Sequence, residues 1–388
     1  MKWLPCGVYH EHYPQDHAWW QTKFVRVKML LVGVVIFVVF PFLDLVAPDF
    51  GPYFLSVMVI LIYTILAAMG VQLLIGFCGQ LTLGHAAFVA VGAYTAALVL
   101  MHGPEFAAVG DTGNPFLGIL SATCRGLIQV GLLYPVAIVL AGVVAGLWCV
   151  LFGLPSARVK GFYLIMTTIA AQWITVEFFI TQYVSQIGGR AQAFSVMPDN
   201  FAIGPFTIDS DKKVYLLGVV LVLLLTAAMA NLLRSKPGRA WIAIRDNDIA
   251  AEAMGVNIVV YKLLAFFVAG AMGGVAGVFW LNFNNIVSPE HFQWFWSLWW
   301  VGVILIGGVG SMHGTIFGSM FMVLVLEGLK YALIPLGGTF PELLDKFLFI
   351  KEALFGLAIA LFLIYEPNGL AYRWWQLKNY FNLWPFSY

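Results

Sequence analysis

One charged stretch of the chain, Gly238 to Asn257, has the residue types that could act on a partner molecule. Charged residues make up 10% of the sequence, yet eight fall within the thirty-two positions 231–262. These eight are Arg234, Lys236, Arg239, Arg245, Asp246, Asp248, Glu252 and Lys262. Small apolar residues between the charges favour short amphipathic helices that dock on a soluble partner, with apolar groups for a groove and charges for orientation. A basic connector held at a membrane surface is the alternative interpretation.

Local signals divide this stretch into two short helices. Ser235 precedes Pro237 by two positions, which predicts an N-cap followed by proline in the first turn. Asp246 or Asp248 is expected to cap the second helix, and Gly255 to end it. The charged loop is therefore predicted to be a pair of helices lying at a membrane face.

Polar side chains within otherwise apolar segments form a second set of candidates, because each is costly in lipid unless it faces protein or water. A hydrogen-bonded structural role is favoured for His85, which stays a substrate-pathway candidate with a substrate contact as the alternative. Glu177 and Glu327 are candidate proton relays. Glu177 could equally point to a helix end, and Lys330, three residues after Glu327, allows a local ion pair instead. The neutral hydrogen-bonding residues suited to a zwitterion or an amide are Gln80, Thr82, Thr167, Thr168 and Gln172.

Several other kinds of chemistry are disfavoured by motif. The sequence lacks a Gly-x-x-x-x-Gly-Lys-Ser/Thr phosphate loop, so the chain itself is not expected to hydrolyse ATP. No catalytic residues, cofactor or disulfide framework are predicted. His10, His12, Asp16 and His17 could coordinate a metal only if folded together, and no second cluster completes a site. The net charge of +1 gives no indication of nucleic-acid binding.

The composition defines the elements that must position these groups. Hydrophobic residues are 61% of the chain, against about 45–50% apolar in soluble domains. Apolar stretches long enough to span a bilayer, roughly 20 residues, recur from residue 27 to residue 366. The chain is therefore predicted to be an all-α polytopic membrane protein with about ten transmembrane helices. The ten candidates lie near 27–47, 53–75, 84–101, 130–153, 162–183, 213–233, 262–281, 297–311, 312–334 and 350–366.

Two glycine-rich segments, Gly76–Gly84 and Gly307–Gly314, interrupt this pattern. Each is typical of a discontinuous helix whose free backbone groups face a polar path, with ordinary tight packing as the alternative. The glycines taken as path candidates are Gly84, Gly307, Gly308 and Gly310. The stretch FQWFWSLWW, Phe292 to Trp300, is typical of an interfacial aromatic belt, with stacking on a substrate as the alternative.

Lys and Arg accumulate in short cytoplasmic loops, and their distribution predicts the orientation. With ten spans and the N-terminus inside, thirteen of the twenty basic residues are cytoplasmic and seven are not. This arrangement predicts a cytoplasmic interfacial leader at 1–26, a transmembrane domain at 27–366, and a cytoplasmic tail at 367–388. The charged loop, taken as 234–261, is then cytoplasmic, as are both termini.

Four stretches together resemble a known family. They are GRAWIAIRDNDIAAEAMGVNIVVYKLLAF from residue 238, GFCGQLTLGHAAFVAVGAYTAAL at 76–98, ILIGGVGSMHGTIFG at 304–318 and EPNGL at 366–370. They are similar to motifs of the branched-chain amino acid ABC transporter permeases of the LivM type, a family that also includes urea importer permeases. The motifs occur in the family's order and cover most of residues 30–370.

The resemblance implies a permease subunit of the bacterial inner membrane that translocates branched-chain or related amino acids. The charged loop would be the coupling element that sits on an ATPase, with Gly238, Arg239, Arg245, Asp246, Asp248, Glu252 and Gly255 as its residues. The implied partners are a second homologous permease subunit, two cytoplasmic ATPases that bind ATP and Mg, an extracytoplasmic substrate-binding protein, and membrane lipid.

Other functions stay open at this stage. A urea or short-amide importer permease is the nearest alternative, and Ile187 and the surroundings of Trp299 depart from the family's pattern, which leaves the substrate undecided. An ion-coupled secondary transporter would need Glu177, Glu327 or His85 as its coupling site. A structural or receptor-like membrane protein would move no solute.

Overall fold

The structure, a computed structural model, describes residues 23–43, 51–108, 125–128, 130–157, 159, 161–184, 193–337 and 347–383. The helices are α1 (Lys23–Val34), α2 (Gly51–Val71), α3 (His85–Ala108), α4 (Leu133–Ser156), α5 (Phe162–Trp173), α6 (Asp211–Arg234), α7 (Lys236–Asp246), α8 (Asp248–Ala253), α9 (Ile258–Asn284), α10 (Trp294–Gly307), α11 (Met312–Gly337), α12 (Phe347–Tyr365) and α13 (Gly369–Leu383). Helices α1, α2 and α5 continue as π-helices at Val35–Val39, Gln72–Phe77 and Ile174–Val184. Short 3-10 helices lie at Pro198–Asn200 and Pro289–Phe292. The strands are β1 (Phe194–Ser195), β2 (Ala202–Ile203), β3 (Phe206–Thr207) and β4 (Ile286–Val287).

Seven helical segments within the described ranges are long and apolar enough to cross a membrane. They are Gly51–Phe77, His85–Gly103, Leu133–Ser156, Phe162–Gln182, Asp211–Arg234, Ile258–Asn284 and Met312–Tyr331. Each lies within a few residues of a predicted span. A helical, multi-pass membrane protein is therefore confirmed, while the total of ten spans stays a prediction.

The predicted span at 297–311 differs from the observed helix. Helix α10 covers Trp294–Gly307, 14 residues, and at 1.5 Å per residue it is about 21 Å long, short of the ~30 Å hydrocarbon core. It ends because Gly308 and Gly310 have φ values of 118° and 82°, which a helix does not allow. Helix α10 is therefore shorter than a full span, and α11 begins after the turn.

The predicted spans at the two ends of the domain match helices in position. The predicted span at 27–47 overlaps α1 and its π-helical continuation, which together cover Lys23–Val39. Residues 44–47 lie outside the described residues. Helix α12 covers Phe347–Tyr365, close to the predicted 350–366. The histidine-rich leader and the region of Ile187 also lie outside the described residues.

Helix α9 is the centre of the packing and contacts α4, α3 and α2. Small residues bring its backbone close to its neighbours. A Cβ atom added at Gly270 would lie 2.4 Å from Cβ of Cys149, and one at Gly277 would lie 2.1 Å from the carbonyl oxygen of Val89. Apolar burial gives little driving force between helices in lipid, so such close van der Waals packing is a main source of their association.

The two ends of α9 define two ends of the molecule. Helices α7 and α8 precede it, and we call that side the loop end. At its other terminus, β4 pairs antiparallel with β1, with Phe194 opposite Val287, and we call that side the strand end. Strands β2 and β3 form a second antiparallel pair.

The close packing of α9 predicts a destabilised Gly277→Ala variant. The added methyl would clash with the backbone of α3, and such overpacking costs about 1–3 kcal/mol. The matched control is Gly356→Ala in α12, where an added Cβ would meet nothing within 4 Å. That change is expected to be neutral or to stabilise by about 0.4–1 kcal/mol. Thermal unfolding of the purified variants in detergent measures both, and equal midpoints would contradict this packing.

Candidate functional site

The charged loop folds as the two short helices α7 and α8 that its sequence predicts, but their caps differ from the expectation. Ser235 occupies the N-cap position of α7, yet its hydroxyl donates 2.5 Å back to a carbonyl of α6. Helix α8 is capped by Asn247, whose side-chain oxygen accepts from the amide of Ala250 at 3.1 Å. The expectation of Asp246 or Asp248 as that cap was wrong, because asparagine accepts an N-cap hydrogen bond as well as aspartate does.

Glycines define both limits of the loop. Gly255 has φ +84° and its amide donates to the carbonyl of Glu252 at 2.9 Å, so it ends α8 as predicted. At the other limit a Cβ at Gly238 would lie 2.3 Å from Cα of Leu233, so α7 folds tightly against the end of α6. The exposed Arg239 donates to the last carbonyl of α6 at 3.0 Å. The start of the charged loop therefore packs directly against the end of α6.

Trp241 anchors the loop to the membrane helices. Its side chain is fully buried, and its indole nitrogen donates to the carbonyl of Tyr261 in α9 at 2.8 Å. Ala240 and Ile244 are buried beside it. The sequence analysis did not single out Trp241, although its spacing of three from Ile244 places both on one helical face. With this anchor, α7 moves together with the start of α9.

The outer face of the loop combines apolar and acidic groups. Ile249 is 73% exposed and Met254 is 86% exposed, with the exposed carboxylate of Glu252 between them in the sequence. Large apolar side chains held outward by an anchored helix pair are typical of a docking surface. We call Ile249, Glu252 and Met254 the outer face.

Arg245 joins the loop to both glycine-rich segments. Its Nη1 donates to the carbonyl of Gly76 at 2.7 Å, where α2 ends as a π-helix, while Nε and Nη2 each lie 3.2 Å from the carboxylate of Asp246. A Cβ at Gly76 would lie 2.6 Å from the backbone nitrogen of Gly310, and one at Gly310 would lie 2.9 Å from Nη1 of Arg245. The two segments therefore touch, with the guanidinium against both.

Gln72, inside the protein, also stabilises the contact between the two glycine-rich segments. Its side-chain nitrogen donates to the carbonyls of Gly308 and Ser311, at 3.1 and 2.8 Å. These carbonyls belong to the turn between α10 and α11, and α-helical partners for them are lost where the helix breaks. We call Gln72, Gly76, Gly308, Gly310 and Arg245 the junction.

The EPNGL segment packs on the junction as well. A Cβ at Gly308 would lie 3.0 Å from the carbonyl oxygen of Asn368, and one at Gly369 would lie 2.5 Å from Cα of Gly308. The carboxylate of Glu366 pairs with the guanidinium of Arg373 in α13. All four stretches singled out in the sequence therefore meet at the loop end of the molecule.

Between α2 and α3 the backbone is not helical, and side chains of other helices bind an amide in this segment and two amides in the first turn of α3. Amides at residues 83, 86 and 87 donate to Thr168, Ser297 and Gln172 at 3.1, 2.8 and 2.6 Å. Irregular backbone at membrane depth is tolerated only where the protein or water satisfies it. We call residues 78–84 the break; it falls within the glycine-rich segment Gly76–Gly84, where a discontinuous helix stays a prediction.

Most of the predicted path residues gather around the break. Gln80 and Thr82 are buried in it, and a Cβ at Gly84 would lie 2.1 Å from the carbonyl oxygen of Thr168 in α5. Thr167 is different, since its hydroxyl lies 3.0 Å from that of Ser156 and ties α5 to α4. Gly307, in the second glycine-rich segment, packs against α11 at the junction, not at the break.

His85 begins α3 and is fully buried. Its ring fills the gap left by two glycines, since a Cβ at Gly70 or at Gly273 would lie 2.6 or 3.0 Å from it. The ring of Trp300 crosses it edge to face at 5.9 Å, and neither ring nitrogen has a hydrogen-bond partner among the described residues. This position between α2 and α9 favours the structural interpretation of His85.

The two acidic candidates have different surroundings. Glu327 forms the predicted ion pair with Lys330 at 2.6 Å and also accepts a hydrogen bond from the hydroxyl of Tyr53. Glu177 lies in the π-helical continuation of α5 and is exposed. Within the described ranges, no group of three or more His, Cys, Asp or Glu side chains could hold a metal ion.

A polar cavity of about 340 Å³ separates the loop from the break. Arg245 and Asp248 line it from the loop, Gln80 from the break, and the buried Lys262 from α9. The cavity therefore brings loop candidates and path candidates to one place.

Comparisons with known proteins find similarity to permeases of branched-chain amino acid transport. The model of a family described as "Branched-chain amino acid transport system / permease component" matches residues 53–363. The high-affinity branched-chain amino acid transport system permease protein LivM of Salmonella typhimurium is 28% identical over 304 residues, 72% of this chain and 64% of that protein. The probable branched-chain amino acid transport permease protein LivM of Methanocaldococcus jannaschii is 28% identical over 251 residues, 63% of this chain and 69% of that protein.

Similarity extends to a permease named for another solute. The fructose import permease protein FrcC of Rhizobium meliloti is 28% identical over 182 residues, 45% of this chain and 43% of that protein. No solved structure matches the chain.

The junction predicts a specific effect of Gln72→Met. This change keeps the side-chain volume but removes the donor for two carbonyls, and each orphaned buried acceptor costs about 1–3 kcal/mol. Amide hydrogen exchange in residues 307–314 is expected to become faster by about tenfold or more. Gln376→Met in α13 is the control and should leave this exchange unchanged, since Gln376 contacts Arg373 instead. Unchanged exchange in Gln72→Met would show that this amide does not hold the turn.

Proposed function

Because the chain belongs to the branched-chain amino acid transport system / permease component family, we propose that it is the translocation subunit of an ATP-driven importer of branched-chain or related amino acids. The LivM relatives are named as permease proteins of branched-chain amino acid transport, and the family match covers most of the chain. The chain spans 64% of the length of the Salmonella relative, so its substrate and partners are part of the proposal.

In this proposal the loop end faces the cytoplasm of a bacterial cell and the strand end faces outward. Both termini are cytoplasmic, which agrees with the excess of basic residues on that side. An external binding protein delivers the amino acid at the strand end. A second, homologous permease subunit completes the membrane part, and two cytoplasmic ATPases bind ATP and Mg, so this chain needs no catalytic residue of its own.

The observation that carries the proposal is the hydrogen bond from Arg245 to the carbonyl of Gly76. It connects the surface that could receive an ATPase with the interrupted helices that could open a path. The outer face docks on the ATPase, Trp241 keeps α7 attached to α9, and Arg245 passes the displacement to the junction. Closing of the ATPases then shifts Gly76 and Gly310 together.

An ion-coupled transporter working alone is a weaker candidate. Glu327 is neutralised by Lys330 and hydrogen-bonded to Tyr53, which leaves it poorly placed for a mobile proton. His85 is fully buried between α2 and α9, against Gly70 and Gly273. The similarity to a permease named for fructose import leaves the solute to experiment.

Arg245→Ala is expected to uncouple ATP hydrolysis from transport. The variant loses a hydrogen bond from a charged group, about 1.5–3 kcal/mol, while the outer face stays intact. Leucine uptake by the reconstituted transporter should fall by about tenfold or more, with the ATPase subunits still bound and still hydrolysing ATP. Lys378→Ala, an exposed charge in α13, is the control. Normal uptake in Arg245→Ala would refute the coupling route.

Changes in the outer face should have a different effect. Ile249→Asp together with Glu252→Lys replaces its apolar and acidic groups, which contact no core residue of this chain. Affinity purification of the variant should recover the second permease but much less ATPase. Replacing 238–257 by a neutral linker should remove the ATPases altogether. If the doubly changed chain retains them in full, the docking surface lies elsewhere.

A further inference from the structure

A second cavity, of about 250 Å³, lies between the π-helical part of α5 and the start of α10. Pockets for drug-sized ligands measure roughly 300–1,000 Å³, so this one suits a smaller molecule. Its lining is mixed: a carboxylate and side-chain amides stand among large aromatic rings. The residues that the argument uses are Gln172, Trp173, Glu177, Phe292, Gln293 and Trp294.

Glu177 is the unusual member of this lining. It stands fifteen residues beyond Phe162, at about 22 Å along a segment long enough to span the membrane. Its side chain is exposed, and no ion pair to it occurs among the described residues. A carboxylate in a membrane segment is costly unless it faces water or a charged partner, so this position favours a polar or charged neighbour.

The cavity wall is connected to the break. The side-chain oxygen of Gln172 accepts from the amide of Ala87 at 2.6 Å, and its nitrogen donates to the carbonyl of Phe292 at 2.6 Å. Gln172 is buried, so these two bonds link the start of α3 to the segment that precedes α10. A ligand that displaces this segment would therefore act on the start of α3.

The lining indicates the ligand's chemistry. A single carboxylate in a cavity also lined by Trp173 and Trp294 suits an organic ammonium group, which the carboxylate can neutralise while indole rings attract the cation and cover apolar atoms. Mg²⁺ or Ca²⁺ would need several oxygen ligands from more than one carboxylate or carbonyl. An amine that also has an apolar side chain matches both parts of the wall.

We propose that this cavity is a substrate site, in which Glu177 binds the α-ammonium group of the amino acid and Trp173 and Trp294 contact its aliphatic side chain. The assignment rests on the proposed function for the choice of an amino acid. It adds a site at the strand-end half of the membrane and a specificity determinant, Glu177, that distinguishes amines from solutes without a positive charge.

The test measures binding directly, without relying on transport. Gln293→Cys, in a full chain whose four native cysteines are replaced, is labelled with a methanethiosulfonate reagent in the purified, nanodisc-embedded transporter. Three probes are compared: leucine, isoamylamine, which lacks the carboxylate, and 4-methylpentanoate, which lacks the ammonium. Leucine and isoamylamine are expected to slow the labelling, whereas 4-methylpentanoate should not.

Glu177→Gln in the same background tests the assigned group. Loss of a charge-assisted hydrogen bond should raise the leucine concentration needed for protection by about tenfold or more. Glu177→Asp should restore part of the protection. The labelling rate without any probe should be the same in all three chains, which shows that the cavity is still formed.

Each other outcome overturns the assignment. Equal protection in Glu177→Gln, or protection by 4-methylpentanoate as strong as by leucine, removes Glu177 as the ammonium ligand. Loss of the second permease subunit on purification of Glu177→Gln would mean that a basic group of that subunit, and not the substrate, faces the carboxylate. ATP-driven leucine uptake by the unmodified transporter tests the proposed function separately, since it can fail while protection is still observed.

Discussion

The structure depends on the need to satisfy backbone polar groups where helices are interrupted at membrane depth, because lipid offers them no hydrogen-bond partner. The break between α2 and α3 meets this need with Thr168, Gln172 and Ser297. The turn between α10 and α11 meets it with Gln72, and the end of α2 with Arg245. Each interruption is thus hydrogen-bonded to an element distant in sequence.

Small residues make these side-chain to backbone hydrogen bonds between distant elements possible. Helix α9 presents glycines to α3 and α4, so the helices approach closely enough for short polar side chains to reach neighbouring backbones. The same closeness leaves the gap between Gly70 and Gly273 that the ring of His85 fills. Tight packing and a polar path are therefore not competing explanations of the glycines. Close packing at some of these glycines fixes the distances between the helices. At those distances, other glycines expose backbone groups.

The sequence predicted what depends on local pattern and missed what depends on distant contacts. Membrane thickness sets the length of a span, so Gly51–Phe77 lies within two residues of the predicted 53–75. The α8 cap was misplaced because Asp246, Asn247 and Asp248 are adjacent and have similar cap preferences. Gln72 was missed because one polar residue in an apolar helix has no periodic signature, and its partner carbonyl at Gly308 is 236 positions away.

The two candidate sites act on the same short segment, which gives the proposed function its physical basis. From the strand end, the Glu177 cavity reaches the start of α3 through Gln172. From the loop end, Arg245 reaches the end of α2 through Gly76. The break at 78–84 joins these two helix ends, so a ligand and an ATPase would bias one structural element from opposite sides. Coupling between distant sites requires such a shared element with two arrangements. The amide of Leu83 in the break and those of Ala86 and Ala87 at the start of α3 are held by side chains of α5 and α10, so a displacement of either helix would act on this element directly.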